Sequence, residues 1–344
     1  MIKKALIAAL LSNVLVGSAF AQLTFSGSAY AGVRLQAQDG DTTVTTDHRT
    51  EGSPRFNFVA TATRENYGVR LDTTFQHDGG IDGSIVVNGI YGWVDFRNLL
   101  GFAGQEDSLR LTVGEIASSP WVLNTWHHSH AEVEFGDVRG FRVEYATPLQ
   151  GLSMGFAFRA DGRDLRTSGE RMVFGATYLH PMFSAVVSYD ITANGQLLFG
   201  FNFTGMPDLT AGFQLRAERL ASWNGYHDQH HGALRLRQMV GYRLMRQLNV
   251  SLVMTQDLSR VPDSDVALEF IPGVEFRILP NLAASLSLIL ASPDHFTTTN
   301  LTLNPLLEYT LRGPAVLYVE YELHLPNMAN PRHTFGFGIT IRAF

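Results

Sequence analysis

Apolar and polar residues alternate along most of this chain with a period of two. In the first such segment the apolar positions are Leu23, Phe25, Ala29, Ala31, Val33 and Leu35. This period predicts β-strands that have one apolar and one polar face. The segments begin near residues 23, 54, 67, 84, 107, 139, 151, 170, 182, 196, 208, 231, 247, 265, 281, 299, 314 and 333. The pattern therefore predicts an all-β protein of 18 strands, with 16 strands as the alternative.

The connections between these segments are alternately short and long. Tight turns are predicted near residues 65–66, 148–150, 180–181, 206–208, 246–247, 280–281 and 313–314. Longer polar connections are predicted near residues 37–53, 78–83, 116–136, 161–169, 219–231, 258–264, 292–299 and 326–332. Residues 97–106 break the rule, because a longer connection occurs where a tight one is expected. Short periplasmic turns and longer external loops are typical of outer-membrane barrels, and an even strand count places both termini in the periplasm.

Charged residues within the segments occupy the polar face. Between residues 234 and 244 the apolar face holds Leu234, Leu236, Val240, Tyr242 and Leu244, and the other face holds Arg235, Arg237 and Arg243. An arginine at the lipid midplane would cost about 2–4 kcal/mol, so these arginines are expected to point inward. The sequence predicts a closed antiparallel transmembrane β-barrel with a polar, water-filled interior.

Composition agrees with a barrel better than with other classes of exported protein. The chain is 45% hydrophobic and 17% charged and contains 23 Phe and 11 Tyr, yet no run of about 20 apolar residues follows residue 21. It has no Cys, so disulfide and thiol chemistry are excluded. Beyond residue 21 there are 24 basic and 32 acidic residues, and this balance argues against a nucleic-acid partner.

Both ends of the sequence carry targeting signals. Lys3 and Lys4 precede an apolar run from residue 5 to residue 16, and Ala19-Phe20-Ala21 follows. This pattern predicts a signal peptide over residues 1–21 and a barrel over residues 22–344. The last segment ends on Phe344 and in this resembles outer-membrane proteins generally, whose terminal aromatic residue is read by the barrel-insertion machinery. Phe344 falls in the opposite phase to the apolar face of its strand.

The longest interruption of the pattern runs from Ile116 to Gly136. It follows the segment Leu111-Thr112-Val113-Gly114-Glu115 and contains Val133-Glu134-Phe135-Gly136-Asp137, which is similar to a Pro-Glu-Phe-Gly-Gly-like motif. Residues 23–189 resemble the general, trimeric porins in the order of their strands, turns and loops. The resemblance implies that residues 116–138, the third external loop, fold into the barrel and narrow a channel. A homotrimer is one assembly that it implies.

The resemblance also implies a constriction in which acidic loop residues face a basic wall. The acidic candidates are Glu132, Glu134 and Asp137, and the basic candidates are Arg34, Arg55, Arg70 and Arg110. Opposed charges in a narrow aqueous channel would orient polar solutes. In the alternative interpretation, these arginines only pair with scattered carboxylates of the lumen such as Asp72 and Glu144. The other residues expected to face the lumen are Arg142, Arg235, Arg237, Glu320 and Glu322.

These observations favour an outer-membrane channel for passive diffusion of small hydrophilic solutes and ions. The alternative is a surface-exposed adhesin or structural barrel without an open pore. No motif indicates catalysis or a cofactor. Two histidine clusters, one at His127, His128 and His130 and one at His227, His230 and His231, have spacings that can bind Zn²⁺ or Cu²⁺, but exposed loops also accumulate histidine for solubility.

Overall fold

The computed structural model describes residues 22–47, 54–76, 84–98, 106–116, 121, 138–159, 172–191, 195–218, 234–257, 268–292, 298–311 and 314–342. These residues form one antiparallel sheet. Its strands are β1 (Gln22–Gln38), β2 (Asp41–Thr45), β3 (Arg55–Arg64), β4 (Tyr67–Gln76), β5 (Ser84–Arg97), β6 (Ser108–Ile116), β7 (Val138–Ala146), β8 (Leu152–Arg159), β9 (Met172–His180), β10 (Phe183–Asp190), β11 (Gln196–Met206), β12 (Leu209–Glu218), β13 (Leu234–Met245), β14 (Leu248–Asp257), β15 (Leu268–Leu279), β16 (Leu282–Ser292), β17 (Asn300–Thr310), β18 (Ala315–Leu325) and β19 (Arg332–Arg342).

The sheet closes on itself between its first and last strands. Strand β1 pairs with β19 along one edge, from Ser28 opposite Arg342 to Gln38 opposite Arg332. Its other edge pairs with β3 over residues 22–30 and with β2 over residues 34–38, so β2 and β3 together make one strand of the wall. The result is a closed barrel of 18 strands, as the alternation predicted. Every predicted strand start lies within three residues of the observed one.

The short strand β2 lies inside the stretch 37–53 that was predicted to be a loop, and that prediction is wrong for residues 41–45. Asp39 and Gly40 have positive φ angles of 52° and 89°, which suit a tight hairpin turn. The following residues are mostly Thr and Val, whose branched side chains favour extended backbone. Strand β2 therefore continues the position of β3 beside β1, at the level where the other edge of β1 pairs with β19.

The lengths of the connections differ between the two ends of the barrel, as expected. At the end where β1 begins, the connections are residues 65–66, 98–107, 147–151, 181–182, 207–208, 246–247, 280–281 and 311–314. At the opposite end they are residues 46–54, 77–83, 117–137, 160–171, 191–195, 219–233, 258–267, 293–299 and 326–331. The longer connection that was predicted among the short turns is also confirmed, at residues 98–107. A hydrogen bond from the backbone amide of Asn98 to the backbone carbonyl of Asp107 (2.8 Å) joins its two ends.

The outer face of the wall is mainly apolar, and most charged side chains of the described strands lie on the inner face. Val240 and Val319 are 41% and 43% exposed on the outside, whereas Arg237 and Glu320 are only 8% and 4% exposed on the inside. Outward aromatic rings contact one another across strands, as in the Phe25–Phe58 pair at 5.8 Å between ring centres. No helix among the described residues is long and apolar enough to span a membrane.

The assignment of the two faces can be tested with one arginine placed on each. Val240 lies near the middle of β13 on the outer face, so Val240→Arg should destabilise the barrel in a bilayer by about 2–4 kcal/mol. Ser251 lies on β14 opposite Gly241 on the inner face, and Ser251→Arg should fold with the yield of the parent. Urea titrations in lipid vesicles measure both, and equal losses would contradict the assignment.

Candidate functional site: the barrel interior

The chain that leaves β6 turns onto the inner wall of the barrel. Ile116, the last residue of β6, and Trp121, five residues later, are 0% and 2% exposed. They form one apolar cluster with inward-facing residues of the opposing strands, namely Ala157 of β8, Val173 of β9, Val186 of β10 and Leu198 of β11, with Tyr91 of β5 packed against it. The beginning of the third external loop therefore lies inside the barrel at Trp121.

Two glycines make the space that the indole ring of Trp121 occupies. Gly155 of β8 and Gly175 of β9 are directly opposite each other in the sheet. A Cβ atom at Gly175 would overlap the indole, and one at Gly155 would lie 3.0 Å from its Cζ2 atom. Because a larger residue at Gly175 would displace the ring, this pair forms a niche shaped for Trp121.

The acidic half of the predicted constriction lies outside the described residues. Of the loop 116–138, the structure describes Ile116, Trp121 and the backbone of Val138. Glu132, Glu134 and Asp137 are outside that part, so their role stays a prediction. The two histidine clusters also lie outside it, and among the described residues no group of His, Asp or Glu side chains could hold a metal ion.

Arg34, one of the predicted basic residues, lies at the seam where the barrel closes. Its guanidinium is 3.5 Å from Glu320 and 3.8 Å from Glu322, both on β18, and Arg332 of β19 is 3.6 Å from Glu322. Glycine again makes room, because a Cβ atom at Gly336 would lie 2.6 Å from the Glu320 carboxylate. The two glutamates of β18 thus hold arginines from both β1 and β19.

Three other inward arginines each contact a carboxylate nearby. Each has its partner on the same strand or the next one. The pairs are Arg70–Asp72 at 3.2 Å, Arg110–Asp95 at 2.6 Å and Arg142–Glu144 at 2.8 Å. The Arg110–Asp95 pair is bidentate, with a second hydrogen bond of 2.8 Å, and Arg110 also lies over the Trp93 ring. These contacts have the pattern of the alternative interpretation, in which arginines pair with carboxylates of the lumen.

The predicted basic residues do not form one ring. Arg70 and Arg110 lie three and two residues from the short-turn ends of β4 and β6. Arg55 is the first residue of β3 at the opposite end, where its guanidinium lies over the Tyr30 ring at 5.6 Å. Since strands rise about 3.3 Å per residue, the two groups are separated along the barrel wall. Only part of this basic wall can face any one position of the loop.

A chain of neutral hydrogen bonds connects the inner faces of the first strands. The side-chain Nδ2 of Asn57 donates to the Ser28 hydroxyl, the Thr74 hydroxyl donates to the Asn57 Oδ1 at 2.8 Å, and the side-chain Nδ2 of Asn88 donates to the Thr74 hydroxyl at 2.6 Å. Asn88 is the extra residue of a β-bulge in β5, which turns its side chain toward Asp72. This wall is therefore polar even between its ion pairs.

The strands that follow carry an apolar row on the same inner face. Met239 of β13, Val253 of β14 and Ile271 of β15 are 5%, 4% and 2% exposed and pack together with Ile289 of β16. The inner surface thus carries ion pairs on β18, β19 and strands of β1–β7, and apolar clusters on β8–β11 and β13–β16. Strand β13 has both, because Arg243 near its other end lies 3.8 Å from Asp208. Neither cluster was predicted, because each needs the register between strands as well as the alternation within them.

The comparisons with known proteins agree with this architecture. No family model and no curated protein sequence matches the chain. Among solved structures, an engineered variant of the porin of Rhodopseudomonas blastica is 13% identical with a TM-score of 0.54, and the match covers 94% of this chain and 100% of that one. OccK11 of Pseudomonas aeruginosa is 12% identical with a TM-score of 0.58, over 94% and 96% of the two chains. The chain therefore has the fold of a porin, as the order of its parts suggested.

Proposed function

We propose that this protein is an outer-membrane channel for passive diffusion of small hydrophilic solutes and ions. The observation that carries the proposal is the burial of Trp121 on the inner wall, at the start of the third external loop. A chain that enters the lumen at this point reduces the open cross-section. The loop then sets the narrowest part of the pore, because a pore passes only what its tightest section admits.

The inner wall supports passage of polar rather than apolar solutes. Arg70, Arg110 and Arg142 hold their carboxylate partners on the inner face, and side chains of Asn, Ser and Thr lie between them. Water can solvate such a surface, and fixed charges in a narrow aqueous section orient solutes that carry dipoles. Glu132, Glu134 and Asp137 would add negative charge at the narrowest section.

Export and insertion follow from the two ends of the sequence under the same proposal. Residues 1–21 would direct the chain across the inner membrane and be removed. The last strand, which ends on Phe344, would then present the barrel to the insertion machinery. The short turns would face the periplasm and the longer connections the exterior.

A liposome-swelling assay tests the channel directly. Vesicles that contain the refolded protein should swell in neutral polyols of small size and fail to swell above a size limit. An impermeable barrel would leave the vesicles unchanged for every solute, which would favour an adhesin or structural role.

A further inference from the structure

A recess opens in the inner wall near the short-turn ends of β12–β15. Its volume is about 120 Å³, and it is lined by Thr210, Gly241 and Ser251, which are opposite one another on three adjacent strands. Gly241 has no side chain and the other two are small, so this row leaves space on the inner face. Because one buried water needs about 10–15 Å³, the recess has room for several water molecules or for one small ring.

A row of larger polar side chains borders the recess on the side of the short turns. In this row Arg243 bonds to the Asp208 carbonyl through its backbone amide and is opposite Asn249, which is itself opposite Glu275. The side chains of Asp208 and Arg243 are about half exposed and lie 3.8 Å apart, which is longer than a hydrogen bond. Within the described part of the chain, the side chains of Asn249 and Glu275 make no hydrogen bond or ion pair. The row therefore presents donors and acceptors to the lumen.

An apolar row borders the recess on its other side. Met239 lies two residues before Gly241, and Val253 lies two residues after Ser251, so both are on the inner face, further from the short turns. They are 5% and 4% exposed and pack with Ile271. The recess is thus polar along one side and apolar along the other.

We propose that this recess binds a neutral sugar ring. Each hydroxyl group of a sugar both donates and accepts hydrogen bonds, so adjacent hydroxyls need donors and acceptors side by side. The carboxylates of Asp208 and Glu275 accept, and the guanidinium of Arg243 donates. The side-chain amide of Asn249 does both. The C–H groups of the ring can contact the apolar row, because small-molecule sites combine apolar surface with a few oriented polar groups.

The charges around the recess favour a neutral ligand over an ion. Asp208 lies beside Arg243 and weakens the attraction of that guanidinium for an anion. Arg277 follows Glu275 by two residues on the inner face of β15 and weakens the attraction of that carboxylate for a cation. These four formal charges sum to zero, so hydrogen bonding rather than net charge selects the ligand.

The recess lies at the end of the lumen away from the third external loop. Strand β13 ends at Met245, soon after Gly241, and the short turn 246–247 follows. The role of the recess rests on the proposed function, in which the short turns face the periplasm. A sugar that has passed the narrow section would then be held here before it leaves the channel.

Saturation-transfer NMR on the refolded barrel, in a detergent without a sugar head group, tests binding without requiring an open pore. D-glucose, D-galactose and D-xylose are the probes, and cyclohexanol, a ring with a single hydroxyl, is the blank. At least one sugar should bind, and its affinity should be equal at low and high salt, because salt screens charges and the ligand has none. The double variant Asn249→Ala, Glu275→Ala should bind that sugar about tenfold more weakly, because two hydrogen-bonding side chains are lost.

Thr255→Ala with Glu269→Ala is the matched control, because these two residues are also opposite each other on β14 and β15, beyond the apolar row. It should leave the affinity unchanged. Ser251→Arg, which is expected to fold like the parent, should fill the recess and abolish binding, and it serves as a second variant. Heat-dependent gel mobility shows whether each variant is folded.

Four results would overturn the site: no binding of any of the three sugars, equal binding of cyclohexanol, loss of binding at high salt, or equal loss in the control. An open channel that binds no sugar would contradict the site alone. A silent channel that still binds a sugar would instead contradict only the proposed function.

Discussion

Removal of residues 122–137 is expected to raise the conductance of the channel about twofold or more, because the narrowest section of a pore limits its current. Trp121 places the start of this loop against the inner wall. The two ends of the deleted stretch adjoin strands that are already paired, with Ile116 opposite Val138. The barrel should therefore fold with the shortened connection, and planar-bilayer recording at fixed salt measures its conductance.

A deletion in another external connection separates loss of the loop from a general effect of shortening the chain. The connection 219–233 is of similar length and lies at the same end of the barrel. Removal of residues 221–231 should leave the conductance of the parent unchanged. If both deletions raised the conductance equally, or if neither did, the third external loop would not set the size of the pore.

Replacement of Gly338 by alanine is expected to destabilise the closure of the barrel. Gly338 lies on β19 at the seam, where a Cβ atom would overlap the Ala31 carbonyl oxygen of β1 and lie 2.6 Å from the Tyr318 hydroxyl. The first contact is with backbone, so the seam itself must shift. Forcing an extra carbon into a packed site of this kind costs about 1–3 kcal/mol. The seam pairs residues about 300 positions apart, from Ser28 opposite Arg342 to Gln38 opposite Arg332, and such pairing is entropically costly to form.

Gly92→Ala is the matched control for the seam. Gly92 lies on β5 in an extended strand, and a Cβ atom there would meet its nearest neighbours at 3.5 and 3.6 Å, which is ordinary contact. Urea titration of both variants in vesicles should show a lower midpoint for Gly338→Ala and the midpoint of the parent for Gly92→Ala. Equal midpoints would show that the seam tolerates the added carbon.

Strand positions and faces could be predicted from the sequence because both depend on local alternation. Val240 is exposed on the outer face and Arg237 is buried on the inner face, as their alternating positions in β13 require, because lipid excludes charge from the outer face. The lengths of the connections predicted which end of the barrel each connection lies at, and they also predicted the exception, the long connection before β6. The hairpin strand β2 was missed because its residues are mostly polar and show no alternation with apolar ones. The Asp39-Gly40 turn was the local signal that could have predicted it.

The interior could be predicted only in part. Arginines and carboxylates were expected to face inward, but their partners depend on the register between strands, and a sequence does not determine register directly. The pairing of Arg34 with Glu320 joins residues from opposite ends of the chain. The niche for Trp121 needs Gly155 and Gly175 on adjacent strands, and isolated glycines in strand patterns are the only local sign of such a close approach.

Single-channel recording of the parent and of Trp121→Ala in the same salt tests most directly whether a loop held inside the barrel narrows an open channel. The parent should open in uniform steps. The variant loses about 3–5 kcal/mol of packing that holds the loop to the wall, so its steps should be larger and more variable. Its urea midpoint should be lower than that of the parent because this packing is lost, while the paired strands should keep the barrel folded in the absence of urea. A silent parent, or a variant with steps identical to those of the parent, would contradict the account.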